Sequence, residues 1–253
     1  RRMTDDLDFT DGELERYSRH ILLPEVGAIG QAKLRRARVL IVGAGGLGAP
    51  LILYLAAAGI GRIGIIDDDQ VDLSNLQRQV AHTTARIGVN KARSAAEAAL
   101  AINPEIAIDV MEERLTEASA DAVIGAYDVI ADGTDNFATR YLINDAVVRT
   151  GKILVTAALL RFDGQITTVK PGGPCYRCLF PEPPPPGAVP SCSEAGVLGS
   201  VAGILGTMQA TEIIKEIIGV GESLSGRLLL FDGLAMSLRA MKAKQRPGCK
   251  ACS

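Results

Sequence analysis

Two C-x-x-C pairs, one in "PCYRC" and one in "PGCKAC" near the C-terminus, are the residues best suited to bind a metal ion. Each pair can fill two corners of a tetrahedral site, and four thiolates are a usual ligand set for structural zinc. The long segment between the pairs makes their spacing a weaker indication, although loop-closure entropy grows only with the logarithm of loop length. We therefore predict structural zinc in preference to reactive dithiols or free thiols. The predicted ligands are Cys175, Cys178, Cys249 and Cys252.

The fifth cysteine, Cys192, stands outside these pairs. It follows the proline-rich stretch "PEPPPPGAVP" and precedes a predicted long helix that begins near Ser193. A thiol near a helix N-terminus can have a lowered pKa and react as a thiolate. A lone cysteine is also often only a small buried apolar residue. The sequence leaves both alternatives open.

The stretch "GAGGLG", residues 43–48, fits the G-x-G-x-x-G pattern of nucleotide-binding turns. It follows an apolar run of strand length and opens a predicted helix, so backbone N–H groups and the helix N-terminus would approach a phosphate. Asp67 ends the next predicted strand, where a carboxylate can accept hydrogen bonds from both ribose hydroxyls. The alternative is that the glycines only allow the helix to pack closely on the strand. The predicted nucleotide-binding glycines are Gly43, Gly45, Gly46 and Gly48.

Charged residues after this second strand point to a nucleotide with several phosphates. Arg78 and Lys91 could neutralise a triphosphate, although most such cations are solvated helix charges. Asp132 and Asp135 in "ADGTDN" lie at a later strand end, where a carboxylate can hold magnesium. The alternatives for these two are a turn acid and a helix N-cap. Besides the glycines, the predicted nucleotide-site residues are Asp67, Asp69, Asn75, Gln77, Arg78, Lys91, Asp135 and Asn136.

The elements that would position these residues alternate between strand and helix. Apolar runs such as "ARVLIVG" and "KILVTAAL" have strand length, and helical segments such as "LGAPLILYLAAAGI" and "ATRYLINDAVVRT" separate them. This alternation predicts an α/β fold with a Rossmann-like, mostly parallel sheet covered on both faces. After Leu160, "GQITTVK", "GRLLLFDG" and "LAMSLRAMK" predict antiparallel strands that continue the sheet. Between them, "SEAGVLGSVAGILGTMQATEIIKEIIG" is predicted to form one long helix.

We predict a single domain over residues 1–253. Residues 1–36 form a helical segment with two polar-rich helices, "DGELERYSRHI" and "AIGQAKLRRA". Residues 180–195 form a surface loop whose prolines cannot pack as helix or central strand.

The composition argues against nucleic-acid and membrane partners. The net charge is −2, and no basic stripe could hold a nucleic-acid backbone. Residues 39–61 carry no charge over a length that could span a bilayer, but glycines and a proline interrupt the first half, which favours a buried strand, turn and helix. An odd number of cysteines with two C-x-x-C pairs fits a reduced cytosol, so we expect a cytoplasmic protein.

Several stretches occur in the order found in the ThiF/MoeB/HesA family, the bacterial relatives of ubiquitin-activating enzymes. They are "RYSRHI", "VLIVGAGGLG", "DDDQVDLSNLQRQ", "NKA", "DGTDN", "PCYRC", "CSEAGV" and "PGCKAC". From Leu14 to Cys252 the chain resembles this family. The motifs are specific for the family and much less specific for the individual member.

The resemblance implies ATP-dependent adenylation of the C-terminal glycine of a ubiquitin-like sulfur-carrier protein, in thiamine, molybdopterin or related sulfur transfer. It also implies that Gly46 lies at the phosphate turn, that Asp67 holds the ribose and that Asp135 holds magnesium. The residues that it assigns to the phosphates are Asn75, Arg78 and Lys91. Arg19, in "RYSR", would reach the ATP site of a neighbouring subunit, which implies a homodimer.

Two further expectations come from the resemblance. Residues 180–195 correspond to a loop that crosses over the tail of the carrier, and in some members the cysteine at the position of Cys192 joins the carrier through a persulfide. Longer relatives carry a rhodanese domain after the second C-x-x-C, where this chain ends, so sulfur would come from a separate sulfurtransferase or cysteine desulfurase. No role is assigned to His20 or His82.

Other functions stay open. A relative could adenylate a peptide C-terminus or a small carboxylate, and one kind of relative is a tRNA-modifying dehydratase, which would need a basic surface. An NAD-dependent oxidoreductase would not account for Arg78, Lys91 or the zinc cysteines. A scaffold that binds nucleotide and only docks a carrier is disfavoured by the same charged residues.

Overall fold

The computed structural model describes residues 7–185, 187, 188, 190 and 192–253, and of residues 192 and 193 it describes the backbone alone. The strands are β1 (Arg38–Val42), β2 (Arg62–Ile66), β3 (Ala107–Met111), β4 (Val129–Asp132), β5 (Ile153–Leu160), β6 (Asp163–Val169), β7 (Arg227–Asp232) and β8 (Ser237–Lys242). The α-helices are α1 (Asp11–Ile21), α2 (Gly27–Arg36), α3 (Gly48–Ala58), α4 (Lys91–Ile102), α5 (Glu117–Gly125), α6 (Phe137–Thr150), α7 (Tyr176–Leu179), α8 (Cys192–Ala195) and α9 (Gly199–Ile218). Two 3₁₀ helices span Leu73–Asn75 and Thr84–Arg86.

All these strands belong to one mixed sheet in the order β3-β2-β1-β4-β5-β6-β7-β8. Strands β3, β2, β1, β4 and β5 pair in parallel, and β5, β6, β7 and β8 pair antiparallel. The predicted α/β fold, with a parallel sheet continued by antiparallel strands, is confirmed.

Side chains of β1 alternate between the two faces of the sheet. Val39 and Ile41 belong to the apolar core shared with α3, α4 and α9, whereas Leu40 and Val42 belong to the core shared with α5 and α6. A strand buried on both faces must be apolar throughout, which explains why the uncharged stretch of residues 39–61 begins with four apolar residues of β1. In the described part of the chain, no helix is both long and apolar enough to cross a membrane.

The prediction of one long helix from Ser193 is wrong. The long helix α9 begins at Gly199, and α8 is a separate single turn. Between them Gly196 has a φ of 79°, in the left-handed region where helices end. The N–H of Arg161 donates to the C=O of Gly196 and the N–H of Leu198 donates to the C=O of Arg161, both at 3.1 Å. The segment therefore pairs as a β-bridge with the β5–β6 turn, and Cys192 does not lie at the N-terminus of the long helix.

Candidate active site

A cavity of about 1200 Å³ opens at the carboxyl ends of the parallel strands. It lies where the strand order reverses between β1 and β4, the usual ligand site of an α/β sheet, and it extends to the antiparallel strands β6, β7 and β8. The predicted nucleotide-site residues that line it are Gly43, Gly45, Gly46, Asp67, Asp69, Arg78, Lys91, Asp135 and Asn136.

The glycine turn between β1 and α3 combines close packing with open space. A Cβ on Gly43 would lie 2.9 Å from the backbone oxygen of Gly133, and one on Gly48 would lie 1.9 Å from the oxygen of Gly43. These two positions therefore require glycine for packing. A Cβ on Gly45 or Gly46 would meet nothing closer than 3.4 Å. The packing alternative thus accounts for two of the glycines and leaves the other two open to a ligand.

Asp67 connects the glycine turn to the end of β2. Its Oδ2 accepts a hydrogen bond from the N–H of Ala44 at 2.8 Å, and its Oδ1 accepts one from the N–H of Asp69 at 2.9 Å. Burial raises the pKa of Asp67, and the two backbone hydrogen bonds oppose that effect. Each carboxylate oxygen keeps a further lone pair, so Asp67 can still accept hydrogen bonds from ligand hydroxyls.

Two cations border the same turn. Lys91 begins α4, is 7% exposed, and donates from Nζ to Oδ2 of Asp69 at 2.8 Å. It is therefore not a solvated helix charge. Arg78 is half-buried, donates from Nη1 to the C=O of Ser74 at 3.1 Å, and passes its methylene stem 3.5 Å from the position of a Cβ on Gly46. Positive charge thus lies where the glycine turn leaves room for an anion.

At the end of β4, Asp132 and Asp135 lie in different environments, a difference that could not be predicted from the sequence. Asp132 is fully buried and its carboxylate accepts hydrogen bonds from Nε of Arg140 (2.9 Å), Oγ1 of Thr156 (2.7 Å), and the N–H and Oγ1 of Thr134 (3.0 and 2.6 Å). These bonds use its acceptor capacity and leave none for a metal ion. Asp135 is exposed and borders the cavity.

The N-cap of α6 is Asn136, whose Oδ1 accepts a hydrogen bond from the N–H of Thr139 at 2.9 Å. The alternative in which Asp135 caps this helix is therefore wrong. Asp135 is the carboxylate of this loop that could hold magnesium.

Some predicted site residues lie away from the cavity wall. They are Arg19, Gly48, Asn75 and Gln77. Asn75 accepts a hydrogen bond through Oδ1 from the N–H of Asp72 at 3.1 Å and so completes the capping box of the 3₁₀ helix, whose N-cap is Asp72. Gln77 is exposed, and Arg19 is exposed on α1. Within one chain, Arg19 does not contribute to the cavity.

Sequence reasoning missed several residues of the cavity wall. Gln79 directly follows Arg78 in the quoted motif "LSNLQRQ", which was a usable signal. Asp68 lies in the longer quoted stretch "DDDQVDLSNLQRQ", between Asp67 and Asp69. The other missed charged and amide residues follow β3, lie in α6, or belong to the antiparallel strands, where no motif marks them. They are Glu113, Arg114, Glu117, Arg140, Asp163, Gln165, Asp232 and Arg239.

His82 contacts the backbone of the glycine turn, although no role was predicted for it from the sequence. Its Nε2 lies 2.9 Å from the C=O of Ala44, and its Nδ1 lies 2.8 Å from Oγ of Ser94. Because a carbonyl only accepts, Nε2 carries the proton and Nδ1 accepts from the serine hydroxyl in the neutral ring. Burial lowers the pKa of His82, which favours this neutral form.

The four cysteines of the C-x-x-C pairs meet beside α6, with all four sulfur atoms within 4.8 Å of one another. The Sγ–Sγ distances are 3.9 Å for Cys175–Cys178, 3.5 Å for Cys175–Cys249 and 3.4 Å for Cys178–Cys252. Zinc with bonds of about 2.3 Å places tetrahedral sulfurs roughly 3.8 Å apart, so the geometry fits this metal. Burial raises the pKa of Cys175, which favours the neutral thiol. A bound metal cation would stabilise the thiolate form that coordinates it.

This chain belongs to the ThiF family, whose sequence pattern matches residues 17–251. A sulfur carrier protein adenylyltransferase of Thermus thermophilus is 48% identical over 96% of this chain and 92% of that protein. A SAMP-activating enzyme E1 of Haloferax volcanii is 48% identical over 99% of this chain and 92% of that protein. Among solved structures, E. coli MccB with ATP superposes with a TM-score of 0.82 at 24% identity, covering 98% of this chain and 76% of that chain. That last similarity concerns the fold alone.

Proposed function

We propose that this protein uses ATP to adenylate the C-terminal glycine of a ubiquitin-like sulfur-carrier protein, within one adenylation domain. The observation that carries the proposal is one cavity lined by the glycine turn, Asp67, Arg78, Lys91 and Asp135. The 48% identity to a sulfur carrier protein adenylyltransferase supports the choice of substrate.

The reaction joins the carrier carboxylate to the α-phosphate and releases pyrophosphate. It needs no protein nucleophile, because alignment of the reactants and positive charge around the phosphates lower the barrier. Arg78 and Lys91 supply that charge, the turn at Gly45 and Gly46 receives phosphate, and Asp67 accepts hydrogen bonds from the ribose. Asp135 would hold magnesium, which offsets phosphate charge when bound.

The size of the cavity supports a second reactant. Its volume of about 1200 Å³ exceeds the range of roughly 300–1000 Å³ that is usual for one small ligand. The wall beyond the glycine turn is made by β6, β7 and β8 and carries Gln165, Asp232 and Arg239. We assign this part to the carrier tail, with residues 180–195 as the segment that crosses over it.

The cysteine cluster has a structural role in this proposal. Zinc held by four thiolates has no open position for a substrate, so it would fasten the C-terminal segment to the body of the protein. The four cysteines form no disulfides, which supports a cytoplasmic setting for the protein. A sulfurtransferase or cysteine desulfurase would supply the sulfur.

A homodimer would bring Arg19 to the cavity of the neighbouring subunit. Arg19 is exposed on α1. Exposed apolar side chains, which a dimer interface could cover, include Leu22 (71%) and Ile29 (61%), within ten residues of Arg19 in sequence, and Tyr54 (59%) on α3. The test mixes two inactive variants, Arg19→Ala and Lys91→Met, after dissociation and reassociation. Mixed dimers contain one site with both residues intact, so activity returns if Arg19 acts across the interface. No recovery would mean that Arg19 does not act in the neighbouring site.

Cys192 is proposed as an auxiliary thiol in sulfur transfer. The remaining support is its position in the 180–195 segment, since its side chain lies outside the described residues. Cys192→Ala should leave adenylation unchanged and lower the yield of carrier thiocarboxylate. An unchanged thiocarboxylate yield would end this assignment.

The decisive measurement is ATP–pyrophosphate exchange with magnesium, run against a panel of carriers that end in Gly-Gly. Exchange with one carrier would establish adenylation and identify the pathway. ATP binding without exchange for any carrier would exclude the sulfur-carrier substrate and direct the search to another carboxylate, such as a peptide C-terminus.

A further inference from the structure

The carboxamide of Gln79 is buried beside the glycine turn without a hydrogen-bond partner in the described part of the chain. Gln79 is 3% exposed, and its Oε1 is among the buried polar atoms that lack a partner there. Its Nε2 lies 3.7 Å from the position of a Cβ on Gly45, and the residue lines the cavity. An unpaired buried amide destabilises a fold, so such a group calls for an explanation.

Other buried glutamines are anchored by the protein itself. Gln31 donates from Nε2 to the C=O of Ala58 at 2.9 Å, and its Oε1 lies 3.1 Å from Nδ1 of His20. Gln209 also has an Oε1 without a described partner, but its Nε2 donates to the C=O groups of Asp132 and Val155, and it does not line the cavity. Gln79 therefore differs in presenting an unanchored carboxamide to the candidate active site.

Arg78 and Gln79 border consecutive positions of the glycine turn. The stem of Arg78 lies beside Gly46, and the amide of Gln79 lies beside Gly45. A phosphate at this turn would therefore meet a cation on one side and a neutral N–H donor on the other. Phosphate oxygens only accept hydrogen bonds, so Nε2 is the atom of the carboxamide that suits them.

We propose that Gln79 binds the nucleotide directly, with Nε2 donating to a phosphate oxygen held at Gly45 and Gly46. In the same complex Oε1 accepts a hydrogen bond from a hydroxyl or water that enters with the nucleotide. This inference rests on the proposed function, because it takes ATP as the ligand of the cavity. It assigns a binding residue that supplies no charge and is paired only when nucleotide is present.

The test compares full-length wild-type protein with Gln79→Met, a substitution of similar length and volume that removes both polar atoms. Calorimetry measures the affinities for MgATP and for adenosine without any carrier. We expect the MgATP affinity to fall about 10- to 100-fold, as for loss of a hydrogen bond to a charged group. Adenosine affinity should not change. The melting temperature without nucleotide should stay equal or rise, because the substitution removes an unpaired buried amide.

Gln31→Met is the matched control, since it removes a buried glutamine whose hydrogen bonds are made within the protein. It should lower the melting temperature and leave MgATP affinity unchanged, the reverse of Gln79→Met. Gln79→Glu is a second variant for the case in which Gln79→Met does not fold. It keeps the shape and places a carboxylate against the phosphates, so MgATP affinity should fall while adenosine affinity is retained.

The outcomes separate this inference from the proposed function. MgATP affinity equal to that of the wild type in Gln79→Met, or a loss of adenosine affinity as large as the loss for MgATP, would overturn the assignment while leaving adenylation intact. The expected binding changes, combined with no pyrophosphate exchange for any carrier, would support Gln79 and reject the sulfur-carrier substrate. A wild-type protein that does not bind MgATP would overturn both.

Discussion

Arg140 and Asp132 form an ion pair that is buried on both sides, with Nε and Oδ2 2.9 Å apart and side chains that are 5% and 0% exposed. Arg140 also donates from Nη2 to the C=O of Thr134 at 3.0 Å, and Thr134 donates to the other carboxylate oxygen of Asp132. The ion pair thus holds Thr134, the residue directly before Asp135, through hydrogen bonds with both partners. Through this contact, a charged pair in the core positions the candidate magnesium ligand at the cavity wall.

Arg140→Ala should strongly destabilise the protein, because it leaves the carboxylate of Asp132 buried without its cation. Breaking such a pair costs about 3–5 kcal/mol in free energy of unfolding. Urea denaturation measures the change. The control is Arg149→Ala, which removes the exposed ion pair with Asp121 and should cost about 0–1 kcal/mol. Equal losses of unfolding free energy for the two variants would show that the buried pair stabilises the protein no more than the exposed pair does.

Lys91→Met should reduce ATP–pyrophosphate exchange by about 10²- to 10³-fold, the usual effect of removing one preorganised electrostatic group. Its Nζ is one of two cations beside the glycine turn, and the buried methylene chain is conserved in size by methionine. The control is Arg93→Met, on the exposed side of α4, where Arg93 pairs with Glu112. Circular dichroism checks that both variants fold. Full exchange activity in Lys91→Met would remove this residue from the mechanism.

Much of the parallel half of the fold could be predicted, because its signals are local. An apolar run, a glycine turn and a helix ended by Gly59 define β1 and α3, and Gly59 indeed has a φ of 80°. The cysteine pairs were recognisable for a similar reason, since each pair lies on a short segment and only the meeting of the two pairs is a long-range contact.

Other features depend on tertiary contacts that local patterns do not encode. Gly196 ends a helix because the following residues bridge to Arg161, which is distant in sequence. Asp132 and Asp135 look alike in sequence, and the tertiary contacts that bury Asp132 beside Arg140 and leave Asp135 exposed distinguish them. The wall formed by β6, β7 and β8 has no motif, so its contribution to the cavity could not be predicted.

Cys252→Ser should lower both zinc content and stability. Removing one thiolate leaves an incomplete ligand set, and metal binding to such sites contributes directly to folding free energy. Elemental analysis of the purified variant and its melting temperature test this expectation against the wild type. Cys192→Ser is the control, because Cys192 stands outside the two C-x-x-C pairs that form the predicted ligand set, and it should retain full zinc content. Unchanged zinc content in Cys252→Ser would place the metal elsewhere or exclude it.

His82 should make the protein less stable as the pH falls from neutral. Burial lowers its pKa below the ordinary value of 6.5, an effect that Lys91 and Arg86 reinforce and the hydrogen bond to Ala44 opposes. Below about pH 6.5 the unfolded chain therefore binds a proton that the folded protein does not, so the free energy of unfolding decreases. The slope is up to about 1.4 kcal/mol per pH unit until the folded pKa is reached.

His82→Gln removes this titration and should flatten the dependence of unfolding free energy on pH between about pH 7 and pH 5, the range in which an unperturbed histidine takes up its proton. Urea denaturation at several pH values measures it. His20→Gln is the control, because it removes the other histidine, whose ring is half-buried on α1, and leaves His82 in place, so it should keep the wild-type slope. If His82→Gln kept the wild-type slope as well, protonation of His82 would not be the cause of the acid sensitivity. The stability of the glycine turn would then not depend on a neutral His82.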